Sequence, residues 1–308
     1  RHELQNEGIE FETTNDSEVI VKLIANSSAC RIEDAVAEAM TRISGAYAVL
    51  VMTRDKIIAA RDPFGIRPLA IGRLNGSHYV VASETCAFNT IGAQFIREIE
   101  PGELVVLNSD GLEERQAVPT QGHALCIFEY VYFGRPDSRM YGKTIHEARR
   151  RMGHELAREH PAPGAHMVFP IPNTGTPAAI GFAEASRVPY GEGVIKNHYI
   201  HRTFIQPNQR MRELGVKMKL SPLKEALSGR RVVMIDDSIV RGTTIGPQIK
   251  MIREAGAAEV HVRISSPPYK HPCFYGIDTA NQNELIAAKL SVEEIRQYIG
   301  ADSLGFLS

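Results

Sequence analysis

Short apolar runs closed by turn residues mark the first part of the chain. Ala46 to Met52, Lys56 to Ala60, Leu69 to Gly72, His78 to Ala82 and Glu103 to Leu107 each have strand length and stop at polar or glycine-containing pairs. Arg54-Asp55, Asn75-Gly76 and Asp110-Gly111 stand where hairpin turns are needed, since Asn, Asp and Gly accept tight-turn dihedrals at low cost. The pattern predicts a meandering antiparallel sheet. Two helices flank it, over Asp16 to Ala25 and Ile32 to Arg42, the second with Ile32, Val36, Ala39, Met40 and Ile43 on one face.

From about residue 124 the pattern changes to strand, loop and helix in repetition. His166 to Pro172 reads as a buried strand, Asn173-Thr174-Gly175-Thr176 as a turn, and Pro177 to Arg187 as a helix entered through proline. Arg231 to Ile235 is a second apolar strand and Asp236 to Thr244 a polar loop. Ile245, Ile249 and Ile252 then share one face of a helix that Gly256 closes. Glu259 to Ser265 is the next strand, so strand–helix–strand units predict a parallel sheet. The fold class is α/β with an α+β amino-terminal part. A boundary between Pro119 and His123 gives domains of 1–120 and 121–308.

A length of 308 residues suits about two domains. With 35 Lys and Arg against 36 Asp and Glu, there is no basic surface for nucleic acid or anionic lipid, and any phosphate must be held by particular residues. The longest clean apolar run, Ala46 to Met52, is far short of the roughly 20 residues that span a bilayer, and no signal peptide precedes it. A cytoplasmic protein with a small-molecule ligand is expected. Cys30, Cys86, Cys126 and Cys273 are too few and too scattered for a disulfide framework, which leaves thiols or metal ligands.

The chemistry concentrates in Val232 to Thr244. Asp236 and Asp237 end a buried parallel strand, where open α/β sheets bind ligands. The loop after them, Ser238-Ile239-Val240-Arg241-Gly242-Thr243-Thr244, is rich in hydroxyls and opens a helix, so it aims backbone N–H groups and the helix dipole at an anion. Carboxylates for ribose hydroxyls beside a phosphate cradle fit a sugar phosphate. Helix capping alone would need one acid and explains neither the second acid nor the loop.

This segment resembles the phosphoribosyl pyrophosphate (PRPP) signature of type I phosphoribosyltransferases. Arg61-Asp62-Pro63-Phe64-Gly65-Ile66-Arg67-Pro68-Leu69, Cys126 to Phe133 with Arg135-Pro136-Asp137-Ser138, and Arg202-Thr203-Phe204-Ile205-Gln206-Pro207 resemble the amidophosphoribosyltransferase family, nearly end to end. The resemblance implies a partial Ntn-type glutaminase domain before a transferase domain. The implied reaction opens purine biosynthesis, converting PRPP with glutamine or ammonia to 5-phosphoribosylamine. It also implies Mg²⁺ at Thr174, Asp236 and Asp237, the 5′-phosphate on Ser238, Ile239, Val240, Arg241, Gly242, Thr243 and Thr244, and pyrophosphate near Lys196 and Arg202. The chain departs from the family at Asn173, where an acid is usual, and at His198 and His201.

Asp16 matches the acid that binds the glutamine ammonium group. The family's nucleophile is an N-terminal cysteine, whereas this sequence begins at Arg1, so an internal fragment without glutaminase activity is expected. Cys126 and Cys273 resemble two of the four ligands of a [4Fe–4S] cluster, which would belong to a longer parent. Purine nucleotides as inhibitors and assembly into homo-oligomers are further implications. The competing reading is a non-catalytic PRPP-binding regulator, for which no effector module is visible.

Overall fold

The computed structural model describes residues 1–197, 199 and 219–308, which form two compact units. One comprises Arg1–Cys126 with Arg139–Gly142, the other Ile127–Ser138 with Lys143–Ser308. The expected boundary at 120 therefore falls inside the first unit. Among the described residues no helix is long and apolar enough to cross a membrane.

In the first unit, α1 (His2–Asn6), α2 (Ser17–Ala25) and α3 (Ile32–Arg42) precede seven strands. These are β1 (Ala48–Met52), β2 (Ile57–Arg61), β3 (Ala70–Leu74), β4 (His78–Ala82), β5 (Gln94–Glu98), β6 (Glu103–Asn108) and β7 (Gly111–Gln116), with α4 (Thr85–Ile91) between β4 and β5. All three expected hairpins form: β1 pairs with β2, β3 with β4 and β6 with β7, all antiparallel. Asn75 and Gly76 take φ of 51° and 74°, the left-handed pair that a two-residue hairpin turn of primed type uses.

The single meander is corrected to two sheets, ordered β1-β2-β6-β7 and β4-β3-β5. The cause lies in the turn after β2. The buried Asp62 carboxylate accepts from the N–H groups of Phe64 (3.0 Å) and Ile66 (3.1 Å), and the buried Arg61 donates to the carbonyls of Arg67 (2.8 Å), Gly65 (3.0 Å) and Ile99 (2.5 Å). This wide, internally bonded turn cannot reverse the chain into the same sheet. The chain builds the second sheet and returns at β6. Ile58 and Ala60 of β2 face α3 through Val36 and Met40, while Ala59 shares a core with Ile71 of the second sheet. Phe88 of α4 covers the far side of that sheet with Ala70. The layers run helix, sheet, sheet, helix.

The second unit is built on a parallel sheet. Strands β8 (Met167–Pro170), β11 (Arg231–Asp236), β12 (Glu259–Ile264) and β13 (Ser303–Phe306) lie side by side in that order. A separate ribbon pairs β9 (Val194–Lys196) with β10 (Leu220–Pro222). Both faces of the sheet are covered, which is why its strands read as continuous apolar runs. Val232 and Met234 of β11 join Ile249 and Ile252 of α7 (Ile245–Glu254) and Ile295 and Ile299 of α8 (Val292–Ile299). Val233 and Ile235 pack on the other face against Leu156 of α5 (Ile145–Glu159) and Ala178, Ala179 and Phe182 of α6 (Thr176–Ser186).

Two glycines allow α5 and α6 to meet backbone to backbone. A Cβ on Gly153 would lie 1.9 Å from the Ala178 carbonyl oxygen, and one on Gly181 would lie 1.9 Å from the Arg150 carbonyl oxygen. At an ordinary helical site Gly→Ala stabilises by about 1 kcal/mol. Here the sign reverses, and Gly153→Ala should destabilise the second unit by about 1–3 kcal/mol, as overpacking does. Urea denaturation of the variant checks this, and an unchanged or raised midpoint would contradict the close crossing.

Candidate functional site

Neighbouring strand ends create the site. β8 and β11 pair in register, Pro170 beside Ile235, and the Ile171 N–H donates to the Ile235 carbonyl at 2.8 Å. The turn after β8 and the loop after β11 therefore leave the sheet at one edge. Gly175 belongs there because a Cβ would sit 2.8 Å from the Ile235 oxygen. Thr174, half-buried, donates its hydroxyl to Asp237, and Ser238 Oγ donates to the other Asp237 oxygen at 2.6 Å. Asp237 N–H donates to Asp236 Oδ1 at 2.9 Å. The three residues expected to hold a cation thus come together, while Asn173 is exposed.

Both acids resist ionisation in the ligand-free protein. Burial pushes the Asp236 carboxyl well above the usual carboxylate range, and the adjacent Asp237 charge pushes it further. Burial also raises Asp237, against the Ser238 and Thr174 donors and the positive charge of Arg149, which pull it back. Arg149 is buried on α5 and donates to the carbonyls of Tyr130 (2.6 Å) and Gly134 (2.8 Å). No local pattern in the sequence singled out this residue, since its relation to Asp237 arises only in the fold. A raised carboxyl pKa contributes stability that is complete below the unfolded value near 4 and is lost as pH rises through the folded value. At neutral pH the pair is a cost that a bound cation would relieve.

The loop that follows is a shaped backbone cradle. Ile239 is buried and anchors it, Gly242 is buried with φ of 73°, and the Thr243 and Thr244 side chains are exposed. No side-chain cap bonds the first turn of α7 at Thr244, so its leading N–H groups are not taken up by a cap. A Cβ on Gly242 would lie 2.7 Å from Ile286 Cδ1, in addition to the strain of a positive φ. Arg241 turns its guanidinium aside, to Glu284 and the Asp278 carbonyl.

Lys196 is half-buried at the end of β9, and the Asn197 N–H donates to the Lys219 carbonyl at 2.7 Å. Arg202, His198 and His201 lie outside the described residues. Asp16 is the N-cap of α2 and accepts from the Ser17 N–H at 2.8 Å. Cys126 and Cys273 are both half-buried, and Cys273 Sγ accepts from the Tyr275 N–H at 3.3 Å. Among the described residues no three His, Cys, Asp or Glu side chains converge as a metal site. Two thiols do not make the four-thiolate set of a cubane cluster. Two carboxylates and a hydroxyl do suit Mg²⁺, which keeps waters and substrate phosphates as its other ligands.

Comparison with known proteins identifies relatives of the chain. Residues 1–90 match the family model described as a glutamine amidotransferase domain. An amidophosphoribosyltransferase of Bacillus subtilis is 51% identical over 308 residues, covering 100% of this chain and 64% of that protein. Amidophosphoribosyltransferase 1, chloroplastic, of Arabidopsis thaliana is 46% identical over 305 residues, covering 99% of this chain and 54% of that protein. The chain thus spans less than two thirds of these relatives. The solved structure of glutamine PRPP amidotransferase from B. subtilis with ADP and GMP superposes with a TM-score of 0.92 at 50% identity, covering 100% of this chain and 67% of that one.

Two substitutions test the site. Asp236→Asn keeps the acceptor for the Asp237 N–H but removes one of two repelling carboxyl charges. Its Tm at pH 8 without ligand should rise by about 2–4 °C, the shift that ~1 kcal/mol produces in a unit of this size. A fall in Tm would show that the acid pair is not a cost. Gly242→Ala should weaken binding of ribose 5-phosphate at least about tenfold, because backbone N–H directions change with the loop. Calorimetric titration measures it, and unchanged affinity would remove the cradle assignment.

Proposed function

We propose that this chain, which belongs to the amidophosphoribosyltransferase family, carries the PRPP site of an enzyme that replaces pyrophosphate by an amine at C1 of the ribose. The observation that carries the reading is the convergence of Thr174, Asp236 and Asp237 at the mouth of a backbone phosphate loop. Asp236 and Asp237 would accept from the ribose hydroxyls, and the loop Ser238 to Thr244 would hold the 5′-phosphate. Held at both ends, the sugar presents C1 to the incoming nitrogen, which lowers the entropic part of the barrier. The C1–O bond breaks with its electron pair on pyrophosphate, the C1–N bond forms from the ammonia lone pair, and the ammonium formed gives its surplus proton to solvent. No covalent protein nucleophile is required.

Thr174, Asp236 and Asp237 would hold Mg²⁺. When bound, that cation supplies charge neutralisation for the departing pyrophosphate. Lys196 would add positive charge on the same side, and we extend the same role to Arg202. Purine mononucleotides share the ribose 5-phosphate of PRPP, so the loop would accept them as competitors. The solved structure of the Bacillus relative holds ADP and GMP. We also extend the family reading to homo-oligomeric assembly and, for Asp16, to glutamine binding. A [4Fe–4S] centre would need two thiolates besides Cys126 and Cys273.

No cysteine among these 308 residues carries a free α-amino group, so a polypeptide of this sequence should depend on its nitrogen source. With PRPP, Mg²⁺ and ammonium salts at alkaline pH, where more NH₃ is unprotonated, it should release pyrophosphate. With glutamine it should release none above background. Far-UV circular dichroism and PRPP binding identify a folded sample. Glutamine-dependent turnover would overturn the split between the two activities, and a folded, PRPP-binding sample inactive with both nitrogen sources would overturn the transferase reading.

A further inference from the structure

We propose that the Arg241–Glu284 ion pair is a strut that sets the shape of the phosphate loop, so that Arg241 is a positioning residue and not a phosphate ligand. The proposal rests on the reading of 238–244 as a phosphate cradle. An arginine in the middle of such a loop invites the opposite assignment, a guanidinium fork on the phosphate. The geometry points elsewhere. Arg241 Nε donates to Glu284 Oε2 at 2.7 Å, and Nη2 donates to the Asp278 carbonyl at 3.1 Å.

Three consecutive loop residues lean on the same distant segment, each by a different interaction. The Val240 carbonyl accepts from the Ile286 N–H at 3.0 Å. Arg241 is held by its side chain, through Glu284 and Asp278. A Cβ on Gly242 would meet Ile286, with Tyr298 beyond, so the backbone there passes close to the same segment. The segment is itself fixed. Leu285 is fully buried with Ile286 and Ala287 beside it, and the turn of Gln282–Glu284 is capped by Asn281, whose side chain accepts from the Asn283 N–H at 3.0 Å.

A backbone cradle recognises phosphate by the directions of its N–H groups, which follow from the loop's φ and ψ, so affinity depends on those angles being held before the ligand arrives. The ion pair is exposed, 41% and 46% for the two side chains, and such pairs add little to global stability. Its effect should therefore appear in phosphate affinity and not in Tm. The Glu284 carboxylate also neutralises Arg241, which leaves the anion to the N–H groups and hydroxyls of the loop.

The test is a double-mutant cycle in the full chain with Arg241→Gln, Glu284→Gln and both together. Ribose 5-phosphate probes the phosphate end and Mg-pyrophosphate the other end, by calorimetric titration. Each single variant should bind ribose 5-phosphate about three- to tenfold more weakly, and the pair together should lose no more than either alone, as two halves of one contact do. Mg-pyrophosphate affinity should stay within about twofold and Tm within about 1 °C of the unaltered chain, while KM for PRPP rises in step with the ribose 5-phosphate loss. Additive losses, or a loss for Arg241→Gln with none for Glu284→Gln, would overturn the strut and make Arg241 a direct ligand. Equal weakening toward both probes would overturn it in favour of general disturbance. Failure of the unaltered chain to bind ribose 5-phosphate would sink the cradle reading itself, and the strut with it.

Discussion

The Thr174 hydroxyl donates to the Asp237 carboxylate, and much of the second unit exists so that this bond can form. It requires β8 and β11 to be neighbours, parallel and in register, since only then do the turn after one and the loop after the other emerge together. Parallel neighbours in turn require a covered crossover. The glycine-mediated crossing of α5 on α6 closes one face of the sheet, and α7 with α8 closes the other. Burial on both faces makes strand ends the one part of such a sheet where polar groups can meet water and ligand.

That arrangement carries an electrostatic cost at its centre. Two adjacent carboxyls, half-buried and buried, repel each other, and the hydroxyls of Thr174 and Ser238 with the charge of Arg149 offset only part of the penalty. Ionisable groups that disfavour their own charge in this way cluster at functional sites. The loop beside them is braced from outside: Arg241 bonds Glu284 and the Asp278 carbonyl, and the Val240 carbonyl accepts from the Ile286 N–H.

The first unit uses buried charge differently. Arg61 and Asp62 are both fully buried, and their hydrogen bonds go to backbone groups of the turn, to the Ile99 carbonyl and to the Tyr141 hydroxyl, with the Arg61 guanidinium also over the Tyr141 ring at 5.8 Å. A run that looks like a functional signature, Arg61 to Leu69, thus has a structural account. It sends the chain out of one sheet and into the other, which produces the layered form of the unit.

What the sequence determined by itself was local. The three hairpins followed from turn pairs with low-cost positive φ, as at Asn75-Gly76, and the strand, acid pair, loop and helix over 231–254 followed from periodicity and residue type within a few turns of chain. The meeting of Thr174 with the acid pair was suggested by the family likeness, not by spacing. Tertiary structure alone decided the split into two sheets, because periodicity records which face of a strand is buried but not which strand lies beside it. It alone decided that Arg241 points to a glutamate 43 residues away and that Thr174 meets an aspartate 63 residues away. Those pairings are selected by the closure of long loops and the packing of whole layers, a cost and a gain that no short window of sequence contains.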